Sequence, residues 1–317
     1  LAWITVLLMV PVVGIVLYMF FGRSLRSTLF VSQRLRRMSQ QELKAYQVDI
    51  ERLGFSQNTQ QTIRLAHTMC RSYYFSNNKV DIYTNGTDKF NALRADLRAA
   101  TQYINMQYYI FENDRIGNEI RNILIEKARQ GVKVRIIYDG VGSFNVDKRF
   151  FKTMLDAGIE AYPFMRINFP QFAQRVNWRN HRKIMVIDGK CGYIGGMNVA
   201  DRYVDGCSWG TRGVWRDTHL RITGPAVKAL QHSFALDWNF MNKQVLNDHI
   251  ATEWDETPDS KAGIQLVTSG PMSDWNNIAL MMLNAISNAK KCVYLQTPYF
   301  LPTEALLKAL QTSALSG

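Results

Sequence analysis

Between residues 80 and 139 the hydrophobic periodicity switches back and forth, and the same succession returns near the end of the chain. Residues 80–84 read as a short strand, and residues 88–101 place Phe90, Leu93, Leu97 and Ala100 at helical spacing. Residues 103–111 read as a second strand. Ile116, Ile120, Ile123, Leu124 and Ala128 form the stripe of a second helix closed by Gly131, and residues 132–139 are a third strand. Strands alternating with helices predict an α/β fold: a mixed, largely parallel sheet with helices on both faces, in an α/β/α layering. Residues 265–270 then repeat 81–86, residues 293–300 repeat 104–111, and residues 304–317 repeat 119–131, all at an offset near 185 residues. Such a constant offset is an internal duplication.

Asn180, His181, Arg182 and Lys183 lead into residues 184–187, an unbroken apolar run that suits a strand buried on both faces. Asp188 and Gly189 supply the turn, and residues 193–196 the returning strand of a hairpin. Side chains two apart along a strand share a face, which sets His181 beside Lys183. Asp188 stands an odd number of positions from both, so alternation gives it a structural role in the turn. Asn198, just past Gly195 and Gly196, adds a neutral donor where glycines allow close backbone approach. An imidazole, a cation and an amide converging on one point suit a phosphodiester, whose charge is held by donors while nitrogen attacks phosphorus. For an isolated histidine, a strand-edge position with no chemistry is the better reading.

The spacing His-x-Lys-x-x-x-x-Asp followed by Gly-Gly-x-Asn resembles the HKD signature of the phospholipase D superfamily. Residues 216–227, 234–238 and 297–302 extend the similarity to bacterial cardiolipin synthases of this type, over essentially the whole chain. The resemblance implies that His181 is one of a pair of histidines, that Lys183 and Asn198 bind phosphate oxygens, and that Gly195 and Gly196 are structural. It places Asp217 as the carboxylate that hydrogen-bonds the histidine and fixes its tautomer. As the third letter of the signature, Asp188 is counted with His181, Lys183 and Asp217 among the catalytic residues. No metal or cofactor is implied. The implied reaction is phosphatidyl transfer between two phosphatidylglycerol molecules through a phosphatidyl-histidine, giving cardiolipin and glycerol. One imidazole attacks while another protonates the leaving alkoxide, so a second HKD half is required. His181 follows Gly131 by 50 residues, so the second motif is expected about as far beyond Gly317, or from a second copy of the chain.

Residues 1–21 carry no charge and, at ~1.5 Å per residue, match a bilayer core of ~30 Å, which predicts a transmembrane helix. Arg23, Arg26, Arg34, Arg36, Arg37 and Lys44 follow, so the positive-inside rule turns the rest of the chain toward the cytoplasm of a bacterial inner membrane. Family members usually carry two such helices, and an earlier one is expected. The net charge of +12 calls for an anionic partner, either anionic membrane lipid or nucleic acid. The resemblance favours the lipid and makes nucleic acid unlikely. The division expected is a basic helical connector over 22–78, a first half over 79–242, a polar linker over 243–263 and the start of a second half over 264–317. Two rivals remain, a membrane-tethered hydrolase or nuclease and an inactive, anionic-lipid-binding fragment, and the products formed separate them.

Overall fold

The computed structural model describes residues 7, 9–17, 50–164, 179–205, 213–242, 244–246, 259–270 and 273–316. Most of the segment expected to span a membrane, and most of the linker, lie outside these residues. Within the former, α1 (Pro11–Leu17) is helical. Among the described residues no helix is long and apolar enough to cross a membrane.

The elements then follow as α2 (Gln57–Cys70), β1 (Tyr74–Tyr83), α3 (Gly86–Ala99), β2 (Tyr103–Tyr108), α4 (Arg115–Arg129), β3 (Lys133–Asp139), α5 (Lys148–Asp156) and β4 (Glu160–Phe164). After these come β5 (Ile184–Ile187), β6 (Cys191–Gly195), β7 (His219–Thr223), α6 (Val227–Asn242), β8 (Ala262–Gln265), α7 (Asn277–Ser287) and α8 (Glu304–Leu315). Side-chain caps start the helices of the alternating region. Asn85 accepts from the Asp88 N–H ahead of α3, and Asp114 from the Gly117 N–H ahead of α4.

The chain divides into two compact units, one holding Asn77–Ala262 and the other Met38–Ser76 with Gly263–Gly317. In the first, the strand order is β4-β3-β2-β5-β6-β7-β1. β2, β3 and β4 run parallel. The pairs β2–β5, β5–β6, β6–β7 and β7–β1 are antiparallel. The expectation of a largely parallel sheet is therefore corrected: the sheet is mixed, with antiparallel pairs in the majority. Helical crossovers join β1 to β2, β2 to β3 and β3 to β4, but β5, β6 and β7 lie between β1 and β2, and β5 and β6 are joined by a tight hairpin. At that turn Asp188 and Gly189 both have positive φ, +52° and +65°, as a two-residue type I′ turn requires.

Alternation along the central strands builds the two layers. Ile104, Met106 and Tyr108 of β2 are buried with Phe90 and Leu93 of α3, Ile116 and Ile120 of α4, and Phe150 of α5. Each such aliphatic side chain contributes about 1.5–3 kcal/mol by leaving water. The opposite face of β2 is polar and meets α6. Asn105 Nδ2 donates to Gln231 Oε1 at 3.1 Å, and Gln107 Nε2 to Asp237 Oδ2 at 2.6 Å.

The second unit repeats the order strand–helix–extended–helix through β8, α7 and α8. Gln265 Nε2 donates to the carbonyls of Ile63 and Ser72, and Thr62 Oγ1 to Asn284 Oδ1. Residues 293–300, expected as a strand, form none among the described residues, and Tyr294 is 94% exposed. Their counterpart β2 is a strand because β3 and β5 flank it. No such neighbours pair with 293–300 among the described residues.

One buried charge stands against the apolar layer. Lys89 on α3 is fully buried, with Nζ 3.4 Å from Tyr108 Oη and 3.8 Å from the Phe90 ring centre. Burial pushes its pKa well below the usual 10.5. The unfolded chain thus binds more protons between the folded-state pKa and 10.5, and stability rises with pH across that window. Lys89→Met, of similar volume, is expected to raise the thermal midpoint at neutral pH, with the gain over the parent shrinking as pH approaches about 10.4.

Candidate active site

The ends of the strands define one rim of the sheet. The C-terminal ends of β2, β3 and β6 and the N-terminal ends of β5 and β7 share it, given their pairing directions. His181 and Lys183 lie just ahead of β5, and Gly195, Gly196 and Asn198 lie at and past the end of β6. Asp217 sits just ahead of β7. The hairpin and the β6–β7 pairing thus gather at one rim residues spread over 37 positions of sequence.

His181 is exposed, and its ring stacks on that of Tyr109, just beyond β2, with centres 3.9 Å apart and planes 20° from parallel. Lys183 is buried. Its Nζ donates to the carbonyl of His181 at 2.7 Å and lies 5.2 Å from the centre of the same Tyr109 ring. The imidazole and the ammonium therefore meet around one phenol. Burial, then the charge of Lys183, lowers the His181 pKa below 6.5, against an opposite pull from Asp139. The ring is neutral near pH 7 and keeps the in-plane lone pair that a nucleophile needs. Burial lowers Lys183 to about 8, partly offset by the charge of Asp217, so the ammonium persists at neutral pH but not far above it. Beneath Lys183, His219 is fully buried, and burial together with Lys89 and Lys183 holds it uncharged.

Asn198 turns both ends of its amide into the protein. Its Oδ1 accepts from the Ile110 N–H at 3.1 Å, and Nδ2 donates to Tyr203 Oη at 3.0 Å. Nδ2 carries a second hydrogen besides the one given to Tyr203.

Two expectations need correction. Asp217 does not hydrogen-bond His181. Its carboxylate accepts from the Thr218 N–H at 2.7 Å and packs on Gly196, where a Cβ would lie 2.1 Å from Oδ1. Its charge acts instead on Lys183, whose pKa it raises against the effect of burial. Asp188 is at the opposite end of β5 from the pocket. Its carboxylate accepts from the backbone N–H groups of Thr101, Gln102 and Tyr103 at 2.7–2.8 Å and from Thr101 Oγ1 at 2.9 Å. It locks the start of β2 to the hairpin turn and thereby sets the register that brings Tyr109 to His181.

Three site residues had escaped the sequence reading. Tyr109 is one. Asp139, its side chain wholly buried at the end of β3, accepts from the N–H groups of Val141, Gly142 and Asn180 at 2.8–3.1 Å. Asp237 of α6 accepts from Gln107 Nε2, from Asn180 Nδ2 at 2.9 Å and from the Arg182 guanidinium. Asn180 and Arg182, on either side of His181, are therefore both tethered. An acid ending a buried strand was a visible signal for Asp139; nothing in the local pattern pointed to Asp237.

The family described as "Cardiolipin synthase, PLD-like domain" matches residues 93–238, which contain every site residue above. The chain is 39% identical along its full length to the major cardiolipin synthase ClsA of Bacillus subtilis (strain 168), covering 67% of that protein. It is likewise 39% identical to a cardiolipin synthase of Staphylococcus aureus (strain Mu50), covering 65% of it. The chain thus spans about two thirds of the length of these curated relatives. The crystal structure of a phosphatidylserine synthase from Haemophilus influenzae Rd KW20 superposes with a TM-score of 0.58 over 81% of this chain and 64% of that one. At 12% identity that likeness supports the mixed α/β fold alone. Identity sustained from end to end, through a matched region that carries the His181 rim, settles the lineage: the chain belongs to the cardiolipin synthase family of phospholipase D-like proteins.

Proposed function

We propose that the whole protein of which this chain is part joins two phosphatidylglycerol molecules into cardiolipin, releasing glycerol. The observation that carries this reading is the meeting of His181 and Lys183 around one aromatic ring at the sheet rim. In the first step a His181 nitrogen attacks phosphorus and the bond from phosphorus to the glycerol oxygen breaks. That oxygen takes a proton from the imidazolium of a second HKD half, supplied by a further part of the protein or by a second copy of this chain. In the second step a glycerol hydroxyl of another phosphatidylglycerol attacks the phosphatidyl-histidine. The phosphorus–nitrogen bond breaks, and the hydroxyl proton returns to the second imidazole.

Lys183 and the remaining Asn198 hydrogen hold the phosphate oxygens as charge builds on them, and the Asp217 charge keeps Lys183 protonated. The uncharged residues 1–21 with the basic run behind them support residence in the bacterial inner membrane as a transmembrane helix, the catalytic unit facing the cytoplasm.

The full-length protein in vesicles of phosphatidylglycerol tests the reaction. Cardiolipin and glycerol in equal amounts are expected; phosphatidic acid with glycerol, and no cardiolipin, would assign a hydrolase. The same preparation gives a pH test. Activity requires neutral His181 and charged Lys183, so kcat/KM is expected to rise through a pKa below 6.5 and to fall above about 8. A profile still rising at pH 9.5 would remove Lys183 from phosphate binding.

A further inference from the structure

Tyr109 packs closely on Gly142 as well as on His181. A Cβ on Gly142 would lie 2.9 and 3.0 Å from Cε2 and Cδ2 of the Tyr109 ring, and 2.3 Å from the Tyr109 carbonyl oxygen, so the ring rests against a backbone that only glycine allows. The His181 imidazole stacks on the same ring, centres 3.9 Å apart. Asp139 ties the two neighbours of the ring together. Its Oδ1 accepts from the N–H of Gly142 at 3.0 Å, and its Oδ2 from that of Asn180, the residue before His181, at 3.1 Å. One buried carboxylate thus ties the glycine that packs on the phenol to the segment that carries the imidazole.

We propose that Tyr109 is a positioning residue for phosphatidyl transfer, its ring packed on Gly142 and stacked on His181 so as to fix the plane in which the imidazole attacks phosphorus. The inference rests on the reading of His181 as one of the reacting histidines. An imidazole nitrogen attacks through a lone pair in the plane of its ring, so a tilt of that plane misdirects the lone pair even when the histidine stays in place. Stacking covers one imidazole face and leaves both nitrogen edges free. The same phenol keeps Lys183 Nζ within 5.2 Å of its centre, so imidazole and ammonium are spaced by a single rigid group.

The test uses the full-length protein with histidine-selective isotope labels, the parent beside Tyr109→Phe and Tyr109→Leu. In the parent and the Phe variant the His181 ring protons are expected upfield, under the ring current of the stacked aromatic, and the Leu variant loses that shift. With phosphatidylglycerol vesicles, Leu is expected to lower kcat by about tenfold with KM within about twofold, while Phe keeps at least about half of the parent rate. Parent-like kcat in the Leu variant, with the ring-current shift gone, would overturn the positioning role. A parent spectrum without the upfield shift would overturn the stack itself. A parent that shows the shift but makes no cardiolipin would overturn the reaction on which the inference rests, and with it the inference.

Discussion

His181→Ala in the full-length protein is expected to lower cardiolipin formation by roughly 10^4-fold or more, with binding of phosphatidylglycerol vesicles unchanged. The size follows from the role: removing the group that forms the covalent bond leaves only what binding and the oxyanion donors can do. The binding side follows from geometry. His181 is exposed at the rim, its ring hydrogen-bonds no side chain among the described residues, and no buried polar partner is orphaned by its loss. A fall of only a few fold would mean that the reaction runs without this imidazole, and the rim would then be a binding site for phosphate. Glycerol release measured beside cardiolipin separates loss of the first step from loss of the second.

Asp188→Ala is expected to cost about 4 kcal/mol of stability, out of the 5–15 kcal/mol typical of a folded domain, read as a lower urea midpoint. The carboxylate is buried and accepts from three backbone N–H groups and one hydroxyl. Alanine leaves those donors without an acceptor and must also hold a φ of +52°, which a Cβ disfavours. Asp188→Asn tolerates that backbone and keeps one acceptor oxygen, so about half of the loss is expected to return. If the Ala variant unfolded at the parent's midpoint, β2 would be anchored by something other than this clamp. If it folded normally yet lost turnover completely, Asp188 would belong to the reaction after all.

The alternation of periodicities was readable over residues 80–139 because each element there buries one face against a close neighbour. Phe90, Leu93 and Leu97 fall on the buried side of α3, and Ile116, Ile120 and Leu124 on that of α4. The hairpin at Asp188 and Gly189 was readable because its backbone demands residues that tolerate positive φ. Strand direction was not readable in the same way. β5, β6 and β7 are placed between β2 and β1, an order no local pattern records, so the sheet came out with more antiparallel pairs than alternation alone suggested. At the rim, spacing placed His181 beside Lys183, since two residues of separation constrain two side chains strongly. The partner of Asp217 depended on how the segments leading into β5 and β7 meet at the rim, a tertiary fact, and its charge falls on Lys183. Tyr109, Asp139 and Asp237 are linked to His181 only by contacts across 72, 42 and 56 positions of sequence, beyond the reach of any periodicity.

The central claim is that a phosphatidyl group passes through His181. Full-length protein mixed briefly with phosphatidylglycerol labelled at phosphorus, quenched in alkali where phosphohistidine survives, and digested for mass spectrometry addresses it directly. The account predicts the label on the peptide that contains His181, in the parent and not in His181→Ala. Label confined to another residue, while cardiolipin accumulates at the parent rate, would contradict it.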